Sequence, residues 1–174
     1  MEIRIKAIAR KTEKGRLPGK VPRGYPSNLP AVFMDDSTQS DLLKFACSDL
    51  HFELGGVLVG RLAKSRRRLF LQIKDFVPAT KGISRRASFE FTNEAQQEIH
   101  EIIQERFKEQ RILGWFHTHP GYGIFLSSAD QFIDQNYFNE PFHIAIVIDP
   151  TKPEIGIFVW DPDHIRIRVP LLPC

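Results

Sequence analysis

His117 and His119 stand two residues apart in the stretch Gly114-Trp-Phe-His117-Thr-His119-Pro120-Gly-Tyr-Gly-Ile-Phe-Leu-Ser127-Ser-Ala-Asp130. In an extended segment, side chains at i and i+2 project from the same face, so both imidazoles can address one ion. Asp130 follows the second histidine by eleven residues, and a chain that folds back between them brings its carboxylate to the pair. Two histidines and one carboxylate, with a fourth position open to water, are a ligand set for catalytic zinc. A plainer reading uses the same residues. Ser127-Ser-Ala-Asp130 also suits a capping box, in which Asp130 serves only a helix terminus. A His-x-His pair at a strand end is often just two partly exposed side chains. Glu53, at the start of the apolar, glycine-bearing run that ends at Gly60, tips the balance toward chemistry. A carboxylate there is costly to bury without a task, although a solvated strand end would also accommodate it.

Holding such a cluster requires a strand for the histidines, a helix start for the aspartate and a second strand near the glutamate. The hydrophobic patterning offers all three. Residues 112–117 read as the histidine strand and 128–137 as a helix capped at Ser127. Residues 53–62 read as a strand in a hairpin with 68–78, through a basic turn at 64–68 that reads as a solvated tip. Around these, residues 1–9 alternate Ile3 and Ile5 with Arg4 and Lys6 and read as an edge strand. Residues 11–30, punctuated by Pro18, Pro22, Pro26 and Pro30, read as a linker or wrapping arm without regular structure. A short strand begins at Ala31. Ser37 or Thr38 then caps a helix to about residue 49, with Leu42, Leu43, Ala46, Cys47 and Leu50 as its apolar stripe and Cys47 as an inert core residue. Residues 79–87 form a loop carrying Lys81, Arg85 and Arg86, and 88–92 a short strand. Asn93 with Gln96 opens a helix to about residue 110, whose Ala95, Ile99, Ile102, Ile103 and Phe107 face a sheet while His100 stays at the surface. The apolar run 142–148 suits a strand covered on both faces, and strands at 155–160 and 165–171 end the chain. These signals support an α/β or α+β domain.

Taken together, the motif residues resemble the signature of the JAMM (MPN+) zinc metalloproteases, the JAB-domain family that removes ubiquitin and ubiquitin-like modifiers. That signature is a glutamate followed much later by His-x-His-Pro, a serine and an aspartate. Glu53, His117, His119, Pro120, Ser127 and Asp130 match it, with 120–126 as the seven-residue spacer. Gly56 and Gly60 fall where the family's Glu-x-x-Gly-x-x-x-Gly pattern puts its glycines. The resemblance runs from about Ala31 to Val169.

The resemblance implies the MPN/JAB fold, a curved, mixed, mostly antiparallel sheet flanked by helices in the cytidine-deaminase-like manner. It also implies one Zn2+ per chain on His117, His119 and Asp130, with Glu53 as the catalytic proton shuttle. Ser127 would be a hydrogen-bond donor to the oxyanion, a role worth about 3 kcal/mol elsewhere. Trp115, Phe116 and Leu126 would form a dry wall around them. The implied substrate is the flexible Gly-Gly tail of a ubiquitin-like protein, bound by strand addition and bordered by residues 78–87 and 121–125. Lys81, Arg85 and Arg86 would lie on the recognition surface. A single domain without an appended binding module resembles the bacterial branch of the family, whose members accompany ubiquitin-activating-like and conjugating-like enzymes. Two alternatives share the resemblance: a peptidase trimming a sulfur-carrier protein for biosynthesis, and a non-catalytic MPN scaffold. The scaffold reading predicts a broken motif, which this chain does not have.

Composition bounds the rest. At 174 residues with 42% hydrophobic content, the chain suits one compact domain at 31–174 preceded by a basic extension at 1–30. The extension holds eight Lys/Arg and two acids, the remainder sixteen against nineteen, so the net charge of +3 originates in the first thirty residues. Such a segment suits contact with an acidic partner or simple solvation, and nucleic acid is not expected. No apolar run approaches a membrane span, and the charged, alternating N-terminus is unlike a secretory signal. Cys47 and Cys174 form no Cys-x-x-Cys pair. A cytoplasmic protein is expected. A Cys-x-x-Cys deaminase site and a phosphate loop find no matching residues, and a serine triad lacks a base near Ser127, where the nearest histidines go to the metal. His143, His164 and Cys174 make no cluster for a second zinc.

Overall fold

The computed structural model describes residues 12–174, and the edge strand expected at 1–9 lies outside them. In chain order the elements are β1 (Glu13–Lys14), β2 (Ala31–Met34), α1 (Asp36–Ala46), β3 (Gly55–Ser65), β4 (Arg68–Pro78), β5 (Ile83–Ser84), β6 (Phe89–Glu90) and α2 (Asn93–Arg106). There follow β7 (Arg111–Thr118), α3 (Ser128–Tyr137), β8 (Ile144–Asp149), β9 (Glu154–Trp160), β10 (Arg166–Val169) and β11 (Leu172–Pro173). One mixed sheet runs β10-β9-β8-β7-β3-β4-β2-β11, and β5 and β6 form a small separate ribbon. The longest pairings, β3 with β4 and β3 with β7, are antiparallel, while β7 with β8 and β2 with β4 are parallel.

Strand alternation divides the core into two layers. Leu58, Phe116, Ile144 and Ile146 point to the face covered by α1, through Leu42 and Ala46. Val57, Val59, Trp115 and Ala145 point to the opposite face, where they meet Ala95, Ile99 and Ile103 of α2 and Ile133 of α3. Burying both faces explains why β8 reads as an unbroken apolar run. β3 is irregular on both sides, with register shifts at Leu58/Val59 against β7 and Val59/Gly60 against β4. At Gly60 a Cβ would stand 2.1 Å from the Gln72 carbonyl oxygen, so only glycine fits.

Several local expectations shift. Asp35, not Ser37 or Thr38, caps α1: its side chain accepts from the Thr38 amide at 2.9 Å. Thr92, not Asn93, caps α2 by accepting from the Ala95 amide at 3.0 Å. In each case several good caps stand in a row, and sequence spacing alone does not choose among them. Cys47 is exposed, not a core residue, because α1 ends at Ala46 and the chain turns there. The 79–87 loop contains β5, paired with β6. Residues 12–30 wrap the domain, but not without regular structure: β1 adds to the main sheet, parallel to the end of β3. Leu17, Val21 and Tyr25 pack on Ala31, Phe33, Phe70 and Leu172, and Leu29 is buried in the main core. No helix among the described residues is long and apolar enough to cross a membrane.

Candidate metal centre

β7 delivers the two histidines. It is central, with β3 on one side and β8 on the other, and its register sets His117 opposite Gly55 and Val147. The strand ends at Thr118, where two hydrogen bonds lock it to the segment before β3. The Thr118 amide donates to the Leu54 carbonyl and the Leu54 amide donates to Thr118 Oγ1, both at 2.8 Å. The His119 amide donates to the Ile148 carbonyl at 2.7 Å. His117 and His119 are both buried, and their Nε2 atoms face each other at 3.0 Å.

The loop after His119 folds back as the spacing requires. Asp149, at the end of β8, accepts from the amides of Gly121 and Gly123 at 3.1 Å each, and Ile124 seats against Gly156 of β9. The return places Ser127 as the N-cap of α3. The capping box of Asp130 is formed, and the same carboxylate faces both histidines. Asp130 Oδ2 accepts from the Ser127 amide at 2.6 Å while Ser127 Oγ accepts from the Asp130 amide at 3.2 Å. Asp130 Oδ1 lies 3.2 Å from His117 Nε2, and Oδ2 lies 3.5 Å from His119 Nε2.

His117, His119 and Asp130 are the one group of three His, Cys, Asp or Glu side chains among the described residues whose ligand atoms converge, all within 4.8 Å of one another. Their donor chemistry fits a zinc ion. His119 Nδ1 lies 3.1 Å from the Gly123 carbonyl, so that nitrogen carries the proton and Nε2 offers its lone pair to the cluster. His117 is oriented differently. Its ring stacks on Trp115 at 4.4 Å and 13°, and its Nδ1 has no hydrogen-bond partner among the described residues.

Glu53 lies just before β3 rather than inside it, with its amide donating to the Arg85 carbonyl at 2.8 Å. Its carboxylate is buried beside the cluster, with Oε1 3.8 Å from His119 Nε2. Oε2 has no hydrogen-bond partner among the described residues, the situation of an acceptor facing a group from outside them. Burial pushes the Glu53 carboxyl up to about 7, with His119 opposing the shift and Asp130 adding to it. Asp130 goes the other way. Burial alone would raise it, but the His117 and His119 imidazoles beside it outweigh that and hold it well below the usual carboxylate range. Burial drives His117 below its ordinary value. At His119 burial pulls down too, but Asp130, Glu53 and the Gly123 carbonyl prevail and the net shift is upward. Two carboxylates in one pocket are thereby separated into one kept ionised and one poised to exchange a proton near neutrality.

The expected dry wall is only partly present. Trp115 shares the His117 face, and Leu126 packs on the same layer, but Phe116 points to the α1 face, where Phe45 and Phe76 enclose it. The alternation that joins His117 to Trp115 also excludes Phe116. Phe125 takes its place, with a ring 4.7 Å from that of His119. Behind the site lies a support that the sequence pattern did not reveal. Asp134, one turn after Asp130 and fully buried, accepts from Trp115 Nε1 at 2.8 Å and receives the Arg166 guanidinium at 2.9 and 2.5 Å. This pair fastens α3 to β10 and sets the indole plane on which His117 rests. Of the loop cations expected to meet substrate, Arg85 is paired with Glu90, and Lys81 lies 3.7 Å from Glu98.

A mixed sheet with helices on both faces, holding a two-histidine, one-aspartate cluster that could take a metal ion and a buried glutamate beside it, defines a domain of the MPN type. The chain belongs to the JAB1/Mov34/MPN/PAD-1 ubiquitin protease family, whose model matches residues 36–140. It is similar to COP9 signalosome complex subunit 5 of Dictyostelium discoideum, 34% identical over 124 residues, covering 66% of this chain and 36% of that protein. The Neurospora crassa subunit 5 is 40% identical over 82 residues, covering 42% and 24%. The chain therefore spans about a quarter to a third of the length of these curated relatives. Among solved structures, the solution structure of protein DSY2949 from Desulfitobacterium hafniense matches with a TM-score of 0.62 at 18% identity, over 82% of this chain and 92% of that one. That likeness extends the agreement in fold.

Proposed function

We propose that the chain is a zinc-dependent peptidase that cleaves after the C-terminal glycine of a ubiquitin-like protein, freeing it from an amine-linked conjugate or from a precursor. Glu53 carries this reading: a buried carboxylate, shifted toward neutrality, beside a ligand set it does not join. Zinc on His117, His119 and Asp130 would polarise the scissile carbonyl and make a water acidic enough to lose its proton near neutral pH.

The rest is the work of the protein's own groups. Hydrolysis of an amide moves one proton from water to the departing amine as the C–N bond breaks. In this reading Glu53 takes that proton and passes it to the amine, a role supported by burial that raises its carboxyl to about 7. Ser127 Oγ accepts from the Asp130 amide, which leaves its O–H free to donate to the carbonyl oxygen as negative charge develops there. Phe52, Ile83, Tyr122 and Phe125, all exposed large side chains in the segments around the site, offer an apolar surface for an extended tail. Arg86 is the 79–87 loop cation with no acidic partner among the described residues. The family description and the names of the relatives support a protein-modifier substrate, and the two unpaired cysteines suit a cytoplasmic enzyme.

The test is a fusion series ending the modifier in Gly, Ala or Val, with products scored by mass spectrometry. Cleavage should fall steeply as the side chain grows. Equal cleavage of all three fusions would refute the proposed specificity.

A further inference from the structure

Basic residues from two separate stretches of sequence meet at the end of the sheet far from the histidines. β1 runs parallel to the last part of β3, Glu13 opposite Ala63 and Lys14 opposite Lys64. This carries residues 15–20 alongside the β3–β4 hairpin tip. The two stretches enclose an open cleft of about 1210 Å³, with Arg16 and Lys20 from the arm and Arg66 and Arg67 from the tip in its walls. All four cations are exposed, and none has an ion pair or hydrogen bond among the described residues. Among the described residues no acidic side chain lines the cleft.

The frame of this cleft is fixed, although its cations are not. Arg68 is spent on structure, donating to the carbonyls of Pro26, Leu29 and Tyr25 at 2.7, 3.3 and 3.3 Å. At Gly19 a Cβ would stand 2.1 Å from the Pro173 carbonyl oxygen, so the arm lies as close to β11 as bare backbone allows. The charge of residues 12–174 follows the same division. Residues 12–30 and 64–68 hold eight Lys/Arg and one acid, while 31–63 and 69–174 hold twelve against nineteen, a net of +7 facing a net of −7. Four like charges around one cleft repel one another, and an anion entering it relieves that repulsion.

We propose that this cleft docks an acidic peptide segment, a run of Asp and Glu on a partner protein. Three of the four free cations are arginines, whose planar forks match carboxylates bidentately. Among the described residues no aromatic ring lines the cleft to stack a base, the usual platform for single-stranded nucleic acid. Leu17 and Pro18 instead supply apolar wall for neighbouring peptide side chains. β3 leads from Gly55 beside His117 to Ser65 at the cleft, a distance on the order of 30 Å at the rise of a strand. A partner seated there leaves the metal centre open.

Binding of a fluorescein-labelled Asp/Glu-rich peptide to the full chain, followed by anisotropy at low and high salt, tests the proposal. Arg16→Glu and Arg67→Glu come from different stretches, and each should weaken binding. The double variant should lose about tenfold or more with its thermal midpoint unchanged. A matched double reversal at the opposite end, Lys81→Glu with Arg86→Glu, alters net charge equally and should leave peptide affinity within about twofold. The proposal is overturned if both double variants lose affinity equally, if Arg16→Glu or Arg67→Glu has no effect, or if tripolyphosphate or a single-stranded RNA of equal charge binds more tightly than the peptide.

Discussion

The two ends of β3 hold charge in opposite ways. Beside Gly55 the ionisable groups are buried, close together and oriented by partners. Asp130 is held by the Ser127 amide, His119 by the Gly123 carbonyl, and Trp115 under His117 by Asp134. Beside Ser65 the cations are exposed and unheld on a rigid frame. Buried charge must be satisfied in place, so it fixes geometry and shifts pKa values; exposed charge keeps its mobility and acts through summed field. One end is therefore suited to positioning atoms for chemistry, the other to attracting a charged surface.

The fixed end should be fragile in proportion to its burial. Asp134→Ala strands the buried Arg166 guanidinium and frees the Trp115 indole, so it should destabilise the fold by about 3–5 kcal/mol, measured as a shift in denaturant midpoint. A loss under about 1 kcal/mol would mean that the pair is not a support. Ser127→Ala should cost slightly less, about 3 kcal/mol of transition-state stabilisation, falling on kcat rather than KM. Part of any stability change would be the lost N-cap, about 1 kcal/mol, so activity and melting are measured together. If KM rises and kcat holds, Ser127 contributes binding alone.

His143 provides a smaller effect, graded by pH. It is buried, and burial together with the Arg166 and Arg111 charges holds it down at about 3, against an ordinary 6.5. Between those values the unfolded chain binds a proton that the folded chain refuses, so stability rises with pH across the window. As pH falls below about 6.5 the His143 contribution should be lost at up to about 1.4 kcal/mol per unit. Stability profiles of the wild type and His143→Gln should diverge in slope over that range. Parallel profiles would show that His143 titrates normally in the fold.

Much of the centre was legible in sequence because its logic is local. A period of two puts His117 and His119 on one face, and a serine three residues before an aspartate announces a helix start. The same period already contained the correction for Phe116. What stayed hidden depends on contacts between distant segments. Asp134 and Arg166 are 32 residues apart, as Arg16 and the hairpin tip are about fifty, and no local pattern encodes such meetings. Asp130 and Asp134, four apart on the buried side of α3, were the one available hint. Cys47 was misplaced for a related reason. The apolar period runs on past the turn that ends α1, and helix ends are set by caps and packing rather than by hydrophobic period.

The central claim is that three side chains hold the metal while a fourth moves protons, and metal analysis of Glu53→Gln protein alongside its turnover tests it most directly. Purified wild-type protein should carry one zinc per chain and cleave the Gly-ended fusion. His117→Ala should lose both metal and activity. Glu53→Gln should keep its zinc while turnover falls by about 10²–10⁴. Loss of zinc in Glu53→Gln, or full activity in metal-free His117→Ala, would contradict the account.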